Sequence, residues 1–148
     1  KLRSAPSYGV SPELRIHWYE PGDEESWIAI HKRADQYNTI TPQLFFEQFV
    51  RENWDLSERQ CYLLDKNDQA VATATAWTEQ QGEFSGFGRL HWVAVVPELH
   101  NRGVGKMIVT VACQRLSALG YTRAFLVTDT LRPAAIHLYE KFGFRTAR

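Results

Sequence analysis

A strand, a glycine-containing turn and a helix follow one another over residues 89–119, and this run constrains the fold more than any other part of the sequence. The strand, RLHWVAVV, is almost continuously apolar, which is typical of a strand covered on both faces. The strand TRAFLVT follows the helix. Because strand-helix-strand crossovers are right-handed, the strands at 89–96 and 122–127 are expected to be parallel. The helix is indicated by apolar residues at helical spacing: Val104, Ile108, Val111, Ala112, Leu116 and Leu119.

The segments on either side of this run predict further strands and helices. ELRIHWYE predicts a first strand, and PGDEESWIAIHKRADQ predicts a helix with acidic residues in its first turn. Thr41 and Pro42 predict the N-cap and first residue of a helix over TPQLFFEQFVREN. QCYLLDKNDQAVATATAW predicts a hairpin that turns at residues 65–68. RPAAIHLYEKFG predicts a short helix that carries Tyr139 and ends at Gly143, before a last strand over FGFRTAR.

Charge and cysteine content favour a protein that binds a small molecule. The 17 Lys and Arg balance the 17 Asp and Glu, so no general field attracts nucleic acid or an acidic membrane. Cys61 and Cys113 lie in separate apolar segments, as reduced thiols of a cytoplasmic protein do. The five histidines lack metal-ligand spacing, so no metal is expected. Residues 1–13 are predicted to form a flexible N-terminal arm before a single domain over residues 14–148.

The glycine pair in HNRGVGK, residues 100–106, allows several interpretations. A nucleotide-triphosphate loop requires Gly and Ser or Thr where His100 and Met107 stand. A dinucleotide fingerprint requires a third glycine where Ile108 stands. Both motifs are therefore excluded. The remaining interpretations are an ordinary strand-to-helix turn and another kind of phosphate site at the start of a helix.

The ordered segments LHWVAVVPELHNRGVGKMI, GYTRAFLVTD and RPAAIHLYEKFGF, over residues 89–144, resemble the GCN5-related N-acetyltransferase (GNAT) family. In that family an apolar strand leads into a turn of the form Gln/Arg-x-x-Gly-x-Gly/Ala. This chain matches at Gly103 and Gly105 and departs at the first position, where His100 stands. The resemblance implies an α/β (α+β) fold. Its central sheet is mixed and mostly antiparallel, with a parallel, splayed strand pair and about four flanking helices.

The resemblance also implies that the cosubstrate is acetyl-CoA. Its pyrophosphate would lie at the helix start, where backbone N-H groups have no partner within the helix. Gly103 and Gly105 would let the phosphates approach the chain, and the same cradle includes Arg102, Val104 and Lys106. The pantetheine arm would pair with backbone groups of the central strand at Val93, Ala94 and Val95.

Two residues are candidates for the chemistry that the family implies. Tyr139 aligns with a tyrosine that the family often uses to protonate the leaving thiolate; the alternative is an aromatic side chain that only packs under its helix. His91, expected on the same strand face as Val93, is the candidate base; the alternative is a hydrogen-bonded core histidine. Glu79, Glu83 and ordered water are further candidates for deprotonating the amine.

The predicted activity is transfer of an acetyl group from acetyl-CoA to a primary amine of a small molecule, or of a peptide, by direct attack in a ternary complex. Neither cysteine is needed. The alternatives are a non-catalytic acyl-CoA-binding regulatory module and a nucleotide-binding domain of another fold. The chain is expected to act as a monomer or homodimer. The role of Arg132 and the acceptor are left open, although aromatic residues at the first two helices are available to line a pocket or to pack in the core: Trp27, Tyr37, Phe45, Phe46 and Trp54.

Overall fold

The computed structural model describes residues 1–35, 38–128 and 133–145 and places them around one five-stranded sheet. The first four strands pair antiparallel in chain order, and the last two strands pair parallel. This arrangement confirms the mixed, mostly antiparallel sheet and the parallel crossover predicted from the sequence. The strands are β1 (Arg15–Trp18), β2 (Gln60–Leu64), β3 (Ala70–Thr78), β4 (Gly88–Val95) and β5 (Ala124–Phe125).

Helices cover the sheet, and the described residues include four α-helices. Residues of α1 and of the π-helical turn pack against β3 and β4 through aromatic side chains. Helix α3 packs against β2, β3 and β4 and buries most of its apolar residues. The helices are α1 (Glu24–Ala34), α2 (Pro42–Phe45), which continues into a π-helical turn (Phe46–Val50), α3 (Val104–Ala118) and α4 (Pro133–Lys141).

Two helix boundaries follow the residues that the sequence indicated. The Thr41 hydroxyl accepts a hydrogen bond from the backbone N-H of Leu44 at 3.1 Å, so Thr41 caps α2 and Pro42 begins it. Gly120 follows α3 at φ +98°, a left-handed conformation that glycine adopts without steric strain. Local chemistry at these two positions therefore sets where the helices begin and end.

The end of the chain differs from the prediction of a last strand over FGFRTAR. Residues 142–145 form a turn and an irregular segment rather than a strand, and residues 146–148 lie outside the described part. The turn is closed by backbone hydrogen bonds from Phe142 and Phe144 to the carbonyl of Tyr139, at 3.0 and 3.2 Å. Because these bonds satisfy the helix end directly, the aromatic residues continue the α4 terminus instead of pairing with the sheet.

Several residues of the segment 1–13, which the sequence predicted as a flexible arm, contact the folded domain. Leu2 is buried and its backbone N-H donates to the carbonyl of Thr122 at 3.1 Å. The backbone N-H of Tyr8 donates to the Thr110 hydroxyl at 3.1 Å, and the Tyr8 ring meets Phe142 edge-on. The apolar side chains of this segment, Leu2, Ala5, Tyr8 and Val10, pack against the hydrophobic core.

Strand β4 contains a β-bulge in its second half. Thr75 of β3 pairs with His91, but Thr73 pairs with Ala94, so two β4 residues stand opposite one β3 residue. Trp92 lies in the bulge at φ +50°, a left-handed conformation that costs a non-glycine residue roughly 1–2 kcal/mol. The bulge shifts the alternation of β4, so the side-chain faces before and after it differ from those of a regular strand.

Candidate functional site

The second half of β4 has an open side next to β5. Within the described residues, β5 pairs with β4 at Gly88 and Arg89 and not beyond, so the two strands diverge after their first residues. The backbone N-H of Val96 donates to the Val71 carbonyl in β3 at 3.0 Å. Because backbone groups alternate in direction along an antiparallel strand, those of Ala94 face β3 and those of Val93 and Val95 point away from it. Val93 and Val95 therefore offer backbone groups on the open side, and Ala94 does not.

His100 contacts this open side from the loop after β4. Its Nε2 lies 2.9 Å from the carbonyl oxygen of Val95 and therefore donates to it. The loop begins with a 3-10 turn over Pro97–Leu99 and reaches α3 at Val104. The residue that departs from the family pattern thus binds the end of β4 rather than the helix start.

The start of α3 has no side-chain cap. Gly103 is the N-cap at φ +79°, no side chain caps the helix, and the first turn holds no acidic residue. No acceptor among the described residues engages the backbone N-H groups of Val104, Gly105 and Lys106. A Cβ added at Gly103 would meet nothing within 4 Å. These donors fit a phosphate group, since the helix dipole and the unpaired N-H groups both favour negative charge there.

The two glycines of the turn have different structural roles. Gly103 supplies the left-handed conformation, whereas a Cβ at Gly105 would lie 3.1 Å from Leu138 Cδ2 in α4. Gly105 was expected to let a phosphate approach; the structure turns its missing side chain toward α4. This close approach places α4, with Tyr139 next to Leu138 in sequence, directly beside the first turn of α3.

Basic groups lie at both ends of this turn. Arg102 is exposed, and Lys106 is half-buried with its ammonium 5.1 Å from the Tyr8 ring centroid. Tyr139 is half-buried on α4, and its ring centroid lies 6.3 Å from that of Phe144. The described structure therefore places α4, which carries Tyr139, beside the helix start and its two basic residues.

His91 is enclosed on the opposite, aromatic side of β4. Its ring lies 5.6 Å from that of Phe49 and 6.3 Å from that of Trp77. Burial, followed by the nearby positive charge of Arg89 and the imidazole of His31, lowers the pKa of His91 well below its ordinary value of 6.5. The expectation that His91 shares a face with Val93 is wrong. The bulge places His91 on the face of Thr75 and hence of Ala94, because Thr73 and Thr75 lie on one face of β3.

The remaining candidates are distributed more widely. The Glu79 carboxylate forms an ion pair with Arg89, while Glu83 is exposed in the loop between β3 and β4. Arg132 and Tyr37 lie outside the described residues. Among the aromatic candidates, Trp27 and Phe45 are buried core residues, Trp54 packs under the Arg59 guanidinium, and Phe46 is exposed.

Neither thiol is an activated nucleophile. Burial raises the pKa of Cys61 to about 12 and that of Cys113 to about 12. Over the described ranges, no three His, Cys, Asp or Glu side chains converge as metal ligands do. None of the helices described in the chain combines the length and apolar character needed to span a membrane.

Sequence analysis missed Gln48, which touches the candidate strand. Gln48 lies in the π-helical turn, and its side-chain oxygen accepts from Trp92 Nε1 at 3.0 Å and lies 3.1 Å from His91 Nε2. Gln48 follows Phe45 by three residues, so a polar residue shares a helix face with a core aromatic residue, and this spacing was the available signal. No feature of the sequence indicated the bulge, because Trp is not a residue type that favours a positive φ.

Comparisons with known proteins agree with this geometry. The chain is 27% identical to mycothiol acetyltransferase of Streptomyces griseus subsp. griseus, over 93% of this chain and 45% of that protein. It is 28% identical to mycothiol acetyltransferase of Thermobispora bispora, over 90% of this chain and 48% of that protein. The chain thus spans about half the length of the curated relatives it matches.

A solved structure of similar fold is the ribosomal-protein-S18-alanine N-acetyltransferase from Escherichia coli. It has a TM-score of 0.74 at 21% identity, covering 91% of this chain and 79% of that one. An aminoglycoside antibiotic 6'-N-acetyltransferase from Acinetobacter baumannii has a TM-score of 0.70 at 14% identity, covering 91% and 92%. The sequence pattern of the Acetyltransferase (GNAT) family matches residues 13–144. The chain belongs to the GNAT family of acetyltransferases.

Proposed function

We propose that this chain is an N-acetyltransferase that moves the acetyl group of acetyl-CoA to a primary amine of a small molecule in a ternary complex. The proposal rests on two features that follow each other directly along the chain. The strand whose Val93 and Val95 backbone groups lack a partner strand leads directly into the uncapped, acid-free start of α3. An extended amide-bearing arm with an anionic diphosphate at its end is complementary to that arrangement.

Residues of this chain hold the cosubstrate in three places. Backbone N-H groups of Val104 to Lys106 donate to the pyrophosphate, and Arg102 with Lys106 adds positive charge at its rim. Val93 pairs with the amides of the pantetheine arm as an added strand does, and Val95 contributes its N-H, since its carbonyl already accepts from His100. Ala94 lies between these two residues, but its backbone groups face β3 and do not bind the arm.

Acetyl-CoA supplies a thioester, whose carbonyl carbon forms a bond to the amine nitrogen while its bond to sulfur breaks. The Tyr139 hydroxyl donates its proton to the departing sulfur, because a phenol is protonated at neutral pH, and the proton that the acylated nitrogen then loses restores the phenol. The ammonium form of the acceptor must first lose a proton, and His91 takes it through water, because its ring is enclosed by aromatic side chains on the other side of β4. Burial keeps the His91 imidazole unprotonated at pH 7 and so free to accept a proton, while the same lowering of its pKa makes it a weaker base.

The names of the curated relatives support a small-molecule acceptor, since both are mycothiol acetyltransferases. A peptide amine is the alternative acceptor. Direct transfer without an acyl-enzyme is supported by the two thiols, whose pKa values burial raises to about 12. A thiol in that state is almost wholly protonated at neutral pH and is a poor nucleophile.

The test begins with thermal stabilisation by CoA, acetyl-CoA and longer acyl-CoAs, with ATP and NAD as comparison ligands. CoA ligands are expected to stabilise the protein, and stabilisation by ATP or NAD alone would contradict the proposal. Thiol release is then measured with a panel of small-molecule and peptide amines. Binding of acetyl-CoA without release in the presence of any amine would identify a regulatory module instead.

A matched pair of variants tests the position of the phosphates. Gly103→Asp puts a carboxylate on the N-cap, where it both occupies the free N-H groups and repels a diphosphate. Gly103→Asn has the same size and tolerates the left-handed conformation without the charge. The Asp variant is expected to lose CoA binding and the Asn variant to retain part of it. Equal affinities in the two variants would place the diphosphate elsewhere.

A further inference from the structure

Gln48 joins the helix layer to two consecutive residues of β4. Its Oε1 lies 3.0 Å from Trp92 Nε1 and 3.1 Å from His91 Nε2. An indole N-H can only donate, so the Gln48 atom facing it is the amide oxygen, which can only accept. His91 must therefore carry a hydrogen on Nε2 to bind the same oxygen. One side-chain carbonyl thus determines which nitrogen of His91 is protonated.

The contact of Gln48 with His91 and Trp92 lies at the β-bulge of β4. His91 is the last residue in regular register with β3, and Trp92 follows it at φ +50°. An aromatic residue holds that conformation only where its surroundings fix it. Here the Trp92 ring contacts Trp27 and His31 of α1, both at 5.4 Å, and its N-H is bound by Gln48.

The groups around His91 keep it neutral. Arg89 on β4 and His31 on α1 are the titratable groups that act on it, and both oppose its protonation. The π-helical turn presents Gln48 and Phe49, and β3 presents Trp77, none of which carries charge. A neutral imidazole with its hydrogen on Nε2 has an unprotonated Nδ1.

We propose that Gln48 is a positioning residue of the acyl-transfer site. Its carbonyl holds His91 in the Nε2-H tautomer, so that Nδ1 is the basic nitrogen. It also holds the Trp92 bulge that turns the backbone of Val93 and Val95 to the open side of β4. The catalytic consequence rests on the proposed function, but the tautomer and the bulge can be measured without any ligand.

The ligand-free measurement is the imidazole nitrogen NMR spectrum of the full chain. The unaltered protein is expected to show His91 as a single Nε2-H tautomer, and Gln48→Leu is expected to show mixed or exchanging tautomers. Gln48→Glu retains oxygen acceptors and is expected to keep the single tautomer. Gln43→Leu is the control, since Gln43 bonds Glu47 on an exposed helix face. A single Nε2-H tautomer in Gln48→Leu would overturn the proposal, whatever the activity.

The kinetic measurement separates positioning from simple structural support. Gln48→Leu is expected to lower kcat by about 10- to 100-fold and to raise the KM for acetyl-CoA, because misplaced groups lose effective concentration. Gln48→Glu should keep most of kcat. Its carboxylate favours the protonated imidazole, so the acid limb of its pH-rate profile should move to higher pH. If Gln48→Leu matches the control in kcat and KM, Gln48 does not position the site.

The role of Gln48 and the proposed acetyltransferase activity can be refuted independently. Loss of the single tautomer in Gln48→Leu, in a protein that transfers no acetyl group to any amine, would uphold the geometry and refute the proposed function. Acetyl transfer that is unchanged in Gln48→Leu would uphold the proposed function and refute the role of Gln48. If Gln48→Leu does not fold, Gln48→Met, which preserves side-chain length without an acceptor oxygen, takes its place with the same expected results.

Discussion

The Lys106 ammonium lies 5.1 Å from the centroid of the Tyr8 ring, so the segment before β1 contacts the first turn of α3. The backbone N-H of Tyr8 donates to Thr110 Oγ1 at 3.1 Å, and that hydroxyl donates to the Lys106 carbonyl at 2.7 Å. The Tyr8 ring also lies 5.4 Å from the ring of Phe142, edge-on. Tyr8 thereby joins the helix start that would hold the phosphates to the turn after α4.

Replacing Tyr8 by Leu is expected to weaken CoA binding by about two- to fivefold, which corresponds to a cation-π contact of about 0.5–1 kcal/mol. The aromatic ring holds the Lys106 ammonium beside the free N-H groups of α3, and Leu does not attract it. Titration calorimetry with CoA measures the difference. Tyr8→Phe keeps the ring and is expected to bind as the unaltered protein does. Tighter binding in Tyr8→Leu would instead mean that Tyr8 competes with the ligand for Lys106.

Alanine at each glycine of the turn is expected to destabilise the fold for a different reason. Gly103→Ala forces a Cβ into a left-handed conformation in open space, at about 1–2 kcal/mol. Gly105→Ala overpacks the contact with Leu138, at roughly 1–3 kcal/mol. Urea unfolding measures both free energies.

A double variant distinguishes these causes. In a Leu138→Ala background, Gly105→Ala is expected to be neutral or stabilising, since the clash is gone and Ala has the better helix propensity. Gly103→Ala is expected to cost the same in both backgrounds. A loss for Gly105→Ala that is independent of Leu138 would mean that the helix contact is not the constraint.

Tyr139→Phe is expected to lower kcat by about 100-fold or more while CoA affinity stays almost unchanged, because only the proton donor is removed. The ring contact with Phe144 is retained in the variant. Thiol release under saturating acetyl-CoA measures kcat, and calorimetry measures affinity. An unaltered turnover with the true acceptor would reduce Tyr139 to a packing residue.

His91 is expected to make the folded protein less stable in acid. Its pKa is lowered by burial in the folded state and is near 6.5 in the unfolded chain, so below 6.5 the unfolded chain binds this proton first. Stability is therefore complete above pH 6.5 and falls as the pH is lowered toward the folded-state pKa. Urea unfolding at about pH 7 and about pH 5 should show a smaller loss in His91→Gln than in the unaltered protein. Equal losses would mean that His91 is accessible to protonation in the fold.

Removal of both thiols is expected to leave acetyl transfer intact. Cys61 and Cys113 are buried with pKa values raised to about 12, so iodoacetamide should modify the folded protein far more slowly than the unfolded chain. The Cys61→Ala, Cys113→Ala double variant should retain kcat within about threefold, provided that stability suffices. A radiolabelled acetyl group trapped on either cysteine would contradict direct transfer.

The sequence predicted the parallel crossover, the start of α2 and the glycine turn because each depends on local signals: periodicity, Thr41 as a cap, and the glycine pair before α3. It did not predict features that depend on tertiary contacts. Gln48 became part of the site because a π-helical turn aims it at β4, and Trp92 takes a positive φ that its own side chain disfavours. The role of Gly105 also required the position of Leu138, a residue of another helix.

The bulge at Trp92 reverses, for the rest of β4, which residues direct their backbone groups toward β3. Without it, the same sequence would direct the backbone groups of Val93 and Val95 toward β3 and those of Ala94 toward β5, the reverse of what is found. The number of residues from Trp92 to Gly103 therefore determines how the open part of β4 lies relative to the start of α3. Insertions or deletions are expected to be tolerated in the exposed loop between β3 and β4. Inside that spacing, a change of a single residue would separate the strand that receives a ligand from the helix that anchors it.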